Sequence, residues 1–64
     1  MSYGKLASES GLQLPVRVLK SKAGYYLGTE NDEGPVSRES VEYWPGKERA
    51  QTALTEGNWV QHQL

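Results

Sequence analysis

Apolar and polar side chains alternate between residues 12 and 20. Leu12, Leu14, Val16 and Val18 fall on one side of an extended chain, and Gln13, Pro15, Arg17 and Leu19 on the other. A period of two with β-branched residues predicts a half-buried strand. Pro15 has no N–H to give to a ladder, so it takes an edge position or the strand begins at Val16. Residues 21–24, Ser-Lys-Ala-Gly, predict a turn in which Gly24 supplies a positive φ. Residues 25–29 return as a second strand, with Tyr25, Leu27 and Thr29 on one face and Tyr26 and Gly28 on the other. Residues 30–35 combine three carboxylates with Asn31, Gly34 and Pro35 and predict a loop. Alternation resumes over residues 36–44, where Val41 and Tyr43 interleave with Ser40, Glu42 and Trp44. A third strand is expected there, with a short helix capped by Ser37 as its rival.

The period changes after Pro45, whose fixed φ suits a first helical turn. Ala50, Ala53 and Leu54 make a narrow apolar stripe at helical spacing over residues 47–56, and Gly57 stands where a helix-terminating glycine belongs. Over residues 58–64, Trp59 and Gln61 oppose Val60 and His62, which predicts a short last strand. At the other end, residues 1–11 are small and polar and predict a flexible N-terminal arm, with Tyr3 and Leu6 as tethers. The expected fold class is α+β: a small three- to four-stranded antiparallel sheet in β-β-β-α-β order, with one helix packed on one face. Residues 12–64 form its single domain. The expected core is Leu14, Val16, Val18, Tyr25, Leu27, Val41, Tyr43, Ala50, Leu54 and Trp59.

Size sharpens this picture. Sixty-four residues allow one domain. A chain of this length buries only about 60% of the surface that its unfolded form exposes, so each large apolar side chain matters. Cysteine, phenylalanine and isoleucine are all missing. Disulfides, thiolate chemistry and cysteine-based zinc sites are therefore excluded, and Trp and Tyr must supply the aromatic packing. No stretch approaches the roughly 20 apolar residues of a membrane span. The first residues lack the apolar run of a signal peptide, so a cytoplasmic protein without membrane contact is the expectation. Charge is polarised within a net −1. Lys5, Arg17, Lys20 and Lys22 outweigh Glu9 in residues 1–29, while seven acids outweigh Arg38, Lys47 and Arg49 in residues 30–64.

Catalytic signatures are weak. Thr29, Asn31, Glu33 and Gly34 echo the start of a calcium loop, but the first ligand is Thr and the twelfth position is Ser40, where a bidentate Glu belongs. His62 is the single imidazole, too little for a structural zinc site. No serine lies in G-x-S-x-G, and Gly24 and Gly28 lack the spacing of a nucleotide-binding loop. Acidic pairs such as Glu39 and Glu42 are too common to single out a site. The expectation is a non-catalytic protein with no cofactor.

Surface chemistry says more. One helix covers one face of a sheet, and Leu19, Tyr26 and Trp44 would lie on the other. An open apolar patch of that kind marks a contact surface unless the N-terminal arm folds over it. Tyr26, Trp44, Arg17 and Leu19 are the candidate protein contacts, since Trp, Tyr and Arg dominate interface hot spots. The partner is another protein or a second copy of this chain, forming a homodimer, and an unpaired edge strand offers self-association a further route. The alternative is a nucleic-acid-associated regulator that uses Arg17, Lys20, Lys22 and Tyr26 of the first hairpin. The acidic balance of the chain and the nearby Glu39 and Glu42 weigh against it.

Overall fold

In the computed structural model, which describes residues 3–63, five elements follow one another. They are α1 (Lys5–Glu9), β1 (Arg17–Ser21), β2 (Gly24–Asn31), β3 (Gly34–Arg38) and α2 (Lys47–Glu56). The strands form one antiparallel sheet in the order β1-β2-β3, so the fold is a small α+β domain. The order is α-β-β-β-α, where β-β-β-α-β was expected. Met1, Ser2 and Leu64, which the predicted arm and last strand include, lie outside the described residues. No helix among the described residues is long and apolar enough to cross a membrane.

Both hairpins turn on two residues followed by a glycine with positive φ, Gly24 at 125° and Gly34 at 123°. A side chain at Gly24 would be strained twice over, because its Cβ would also lie 2.8 Å from the Trp44 carbonyl oxygen. In the second turn the Asn31 side chain accepts the Glu33 N–H at 2.9 Å. This local bond lets the acidic stretch close a tight turn, with the third strand starting at Gly34. Pro35 lies where the β2–β3 register shifts beside Thr29 and Glu30, an irregularity that suits a residue without an N–H.

The third strand ends early. It stops at Arg38, although the alternation predicts extension to residue 44. The cause is Ser40. Its hydroxyl accepts the Leu27 N–H at 3.0 Å and donates to the Glu42 carbonyl at 2.9 Å. The N–H groups of Glu39 and Ser40 both donate to the Leu27 carbonyl. A side chain thus replaces a backbone partner, and the chain loops away from β2. It returns at Trp44, which exchanges two backbone hydrogen bonds with Tyr25, at 2.8 and 2.7 Å. The detour resets which side each residue faces. Val41 and Tyr43, expected in the core, are exposed, and Trp44 packs into it.

Helix α2 has the predicted bounds and ends at Gly57, which takes a left-handed φ of 69°. Its Ala50 and Ala53 are buried. Val16, Leu27 and Ala50 form the core, with Val18, Tyr25, Trp44, Leu54 and Trp59 packed around them. Small side chains on α2 let it approach the sheet closely. In place of a fourth strand, residues 58–63 lie along the 39–42 segment. Ser40 and Gln61 form an isolated bridge, Val41 N–H donates to the Val60 carbonyl, and His62 N–H donates to the Glu39 carbonyl.

Residues 5–9, predicted as part of the arm, are helix α1 on the opposite side of the sheet. Gly4 offers no capping side chain. The cap comes from Glu39, 33 residues away: its carboxylate accepts the Leu6 N–H at 3.0 Å and the Ala7 N–H at 3.2 Å. It also accepts from Ser37 Oγ and from Gln61 Nε2 at 2.8 Å. Because Ser37 donates its proton to Glu39, the 2.7 Å contact with Thr29 must run from the Thr29 hydroxyl to Ser37. Glu39 and Thr29 are both wholly buried. Burial by itself would raise the Glu39 pKa. The bonds from Ser37, Leu6, Gln61 and Ala7 outweigh it and hold the carboxyl below its ordinary value of 4.5.

A carboxyl depressed on folding stabilises the fold above its unfolded pKa and loses that contribution as pH falls through the folded value. Stability is therefore expected to decline below about pH 4.5. Glu39→Gln removes the charge and turns an amide N–H toward groups that are themselves donors. The expected cost is about 3 kcal/mol, out of the roughly 3–10 kcal/mol available to a domain of this size. Thermal melts from pH 3 to pH 7 check both points. Glu39→Gln should melt well below the parent at pH 7, and the two curves should converge in acid.

Candidate functional site

The residues singled out as contacts do not share one face. Leu19 and Tyr26 pair across β1 and β2 on the α1 side of the sheet. They are only 9% and 8% exposed, so the patch expected to lie open is covered. The edge of the Tyr26 ring meets Tyr43, with centroids 5.8 Å apart and planes at 63°, and Leu6 and Ala7 of α1 border the same space. Trp44 is on the α2 side, against the core. The physical reason in both cases lies outside the strands. A polar, small-residue segment gained a helix through a remote cap, and the loop at Ser40 turned Trp44 around.

The cations of the first hairpin are dispersed. Arg17 is exposed and ion-paired with Glu30, at 3.0 Å. Lys20 lies over the Tyr25 ring, 5.7 Å from its centroid, and Lys22 is exposed in the turn. With Tyr26 buried, the basic aromatic platform of the nucleic-acid alternative is not assembled on this hairpin. Of the calcium-loop echo, the Asn31 side chain is taken up by the second turn, where it accepts the Glu33 N–H. Among the described residues no three His, Asp or Glu side chains converge on a point where a metal ion would sit.

Two features remain open. The first is the outer edge of β1. Tyr25 and Leu27 direct their backbone groups away from β1, toward Trp44 and toward Glu39 and Ser40. Their partners across the ladder, Lys20 and Val18, are therefore non-hydrogen-bonded pairs, and the N–H and C=O groups of Lys20 and Val18 point outward. Among the described residues β1 pairs with β2 alone.

The second is a cleft of about 530 Å³ between α1 and β3, bordered by Leu6, Tyr26, Val36, Arg38, Tyr43 and His62 among others. Arg38 is not among the predicted site residues, and His62 is placed by the sequence pattern in a short last strand. Here Arg38 Nη1 donates to Tyr43 Oη at 2.8 Å, and Nη2 lies 3.1 Å from His62 Nδ1. The guanidinium also stacks over the Tyr43 ring at 5.3 Å. The Tyr26 phenol has its pKa raised by burial, with Tyr43 and Glu30 adding to the effect, so it stays a neutral hydroxyl. The sequence carried one usable signal, an arginine among aromatic residues. The ring that stacks on it stands five positions away, across the Ser40 loop.

Comparison of the chain with protein-family models, with curated proteins and with solved structures gives no match. Function must therefore be read from the geometry alone.

The position of Trp44 separates a contact residue from a core residue. Trp44→Ala is expected to cost about 2 kcal/mol, less than a fully buried Trp because the ring is half exposed. That corresponds to a fall of about 10 °C in Tm. Calorimetry alongside light scattering checks it: Tm should drop, and the molar mass should be that of the parent.

Proposed function

We propose that this chain is a non-catalytic interaction module that associates with a second copy of itself through β1. One observation supports the reading: among the described residues the outward backbone groups of Val18 and Lys20 lack partners along β1, a strand without proline. Such an edge is a template for another strand. A twofold axis at Leu19 would set Val18 of one copy against Lys20 of the other. Each of these residues would then donate once and accept once across the axis. Arg17 would face Ser21, so no like charges oppose one another directly. Two short sheets become one continuous sheet, and a domain with little buried surface of its own gains more.

The opposite edge is less suited to this. Strand β3 contains Pro35 and a shifted register, and α1 packs against it. Proline and irregularity both discourage edge pairing. Arg17 and Leu19, two of the contact residues expected from the sequence, lie along the proposed seam with Leu19 at its centre, while their own backbone groups face β2.

Lys20→Pro tests the pairing without touching the internal ladder, because the Lys20 N–H faces outward and Leu19 before it is already extended. Sedimentation equilibrium of the parent should show a concentration-dependent monomer–dimer balance. Lys20→Pro should weaken that association at least tenfold while circular dichroism keeps its shape. A parent that is monomeric at millimolar concentration, or a variant that associates as the parent does, would contradict the proposal.

A further inference from the structure

We infer that the cleft between α1 and β3 binds a small organic carboxylate, with the Arg38 guanidinium as its anchor. Arg38 is a half-buried cation. Among the described residues no carboxylate pairs with it; the ion pair present there is Arg17–Glu30. Its neighbour Glu39 is spent on Leu6, Ala7, Ser37 and Gln61 and does not border the cleft. A guanidinium has five N–H donors. Nη1 donates to Tyr43 Oη and Nη2 lies against the His62 ring, 3.1 Å from Nδ1 and 3.5 Å from Nε2, while Nε is out of contact with solvent and has no partner among the described residues. The remaining Nη hydrogens have no acceptor among the described residues. A partly buried charge with no counter-charge among the described residues carries a desolvation cost, which an arriving anion would relieve.

The surroundings choose among anions. Tyr43 stacking and the two anchoring bonds hold the guanidinium plane fixed, which presents a preformed fork of the kind that grips a planar carboxylate. One cation matches one carboxylate; a phosphate dianion would be left half compensated. Leu6, Ala7 and Val36 supply an apolar wall and the Tyr26 and Tyr43 rings an aromatic one. The volume of about 530 Å³ is within the range of small-molecule sites. The ligand is thus an acid with an apolar body the size of a benzene ring or a short alkyl chain.

The test uses the whole chain, labelled with ¹⁵N, and titrates in sodium benzoate while following the Arg38 Nε–H signal and the amides of Leu6, Val36 and Ser37. Saturable shifts at these positions are expected, at least tenfold tighter than any response to benzyl alcohol or to inorganic phosphate. Arg38→Gln should weaken benzoate at least tenfold, and Arg49→Gln, on α2, should leave it unchanged. Because Arg38→Gln can disturb the fold, the comparison of benzoate with benzyl alcohol on the unaltered chain stands by itself. Equal responses to the acid and the alcohol would overturn the proposal. So would tighter binding of phosphate, or shifts spread over the surface that sodium chloride reproduces.

Discussion

Glu39 is a carboxylate without solvent exposure whose donors come from the adjacent end of β3 and from two distant parts of the chain, α1 and the segment after α2. Taking a charge out of water is expensive unless its hydrogen bonds are replaced. Here they are replaced almost completely, and the replacement is what attaches α1 to the sheet. The helix is five residues long, far too short to persist in water unaided. Its first N–H groups would be orphans without Glu39. The backbone of the same residue is also committed, its N–H to Leu27 and its carbonyl to His62. Gly4 completes the fit, since a Cβ there would come within 2.7 Å of a Glu39 carboxylate oxygen.

The attachment of α1 decides which surfaces remain. With the helix in place, both faces of a three-stranded sheet are covered, one by α2 and one by α1 and Tyr43. Leu19 and Tyr26 are sealed on the second face. Among the parts still open are the flank of β1 and the cleft where α1 meets β3. The proposed self-pairing uses the first, and the proposed carboxylate site uses the second. Ser21 alone touches both, since it faces Arg17 in the proposed pairing and borders the cleft.

Much of the scaffold was legible in the residues. Alternation from Val16 onward, a glycine after each turn, and a small-residue stripe ending at Gly57 each act through local sterics or a simple period, and each appears in the structure. The rest depends on contacts that no local pattern contains. Residues 39–44 carry a strand-like alternation, but the Ser40 hydroxyl takes a backbone hydrogen bond and diverts the chain. Helix α1 looks like a polar arm because its cap stands 33 residues away. Glu39 could not be distinguished among eight acidic residues, since what sets it apart is its donors and not its neighbours in sequence. The cleft was hidden for the same reason: Arg38, Tyr43 and His62 meet only because the strand ends early and the last segment folds back along it.

The role of Glu39 can be observed at its own atom. A ¹³C titration of the Glu39 side-chain carboxyl, read together with hydrogen exchange at the Leu6 and Ala7 amides, follows the cap and the helix in one sample. The carboxyl midpoint should lie below 4.5, and both amides should lose protection as it titrates. A midpoint at or above 4.5, or Leu6 and Ala7 amides that exchange freely at neutral pH, would contradict the dependence of the fold on this carboxylate.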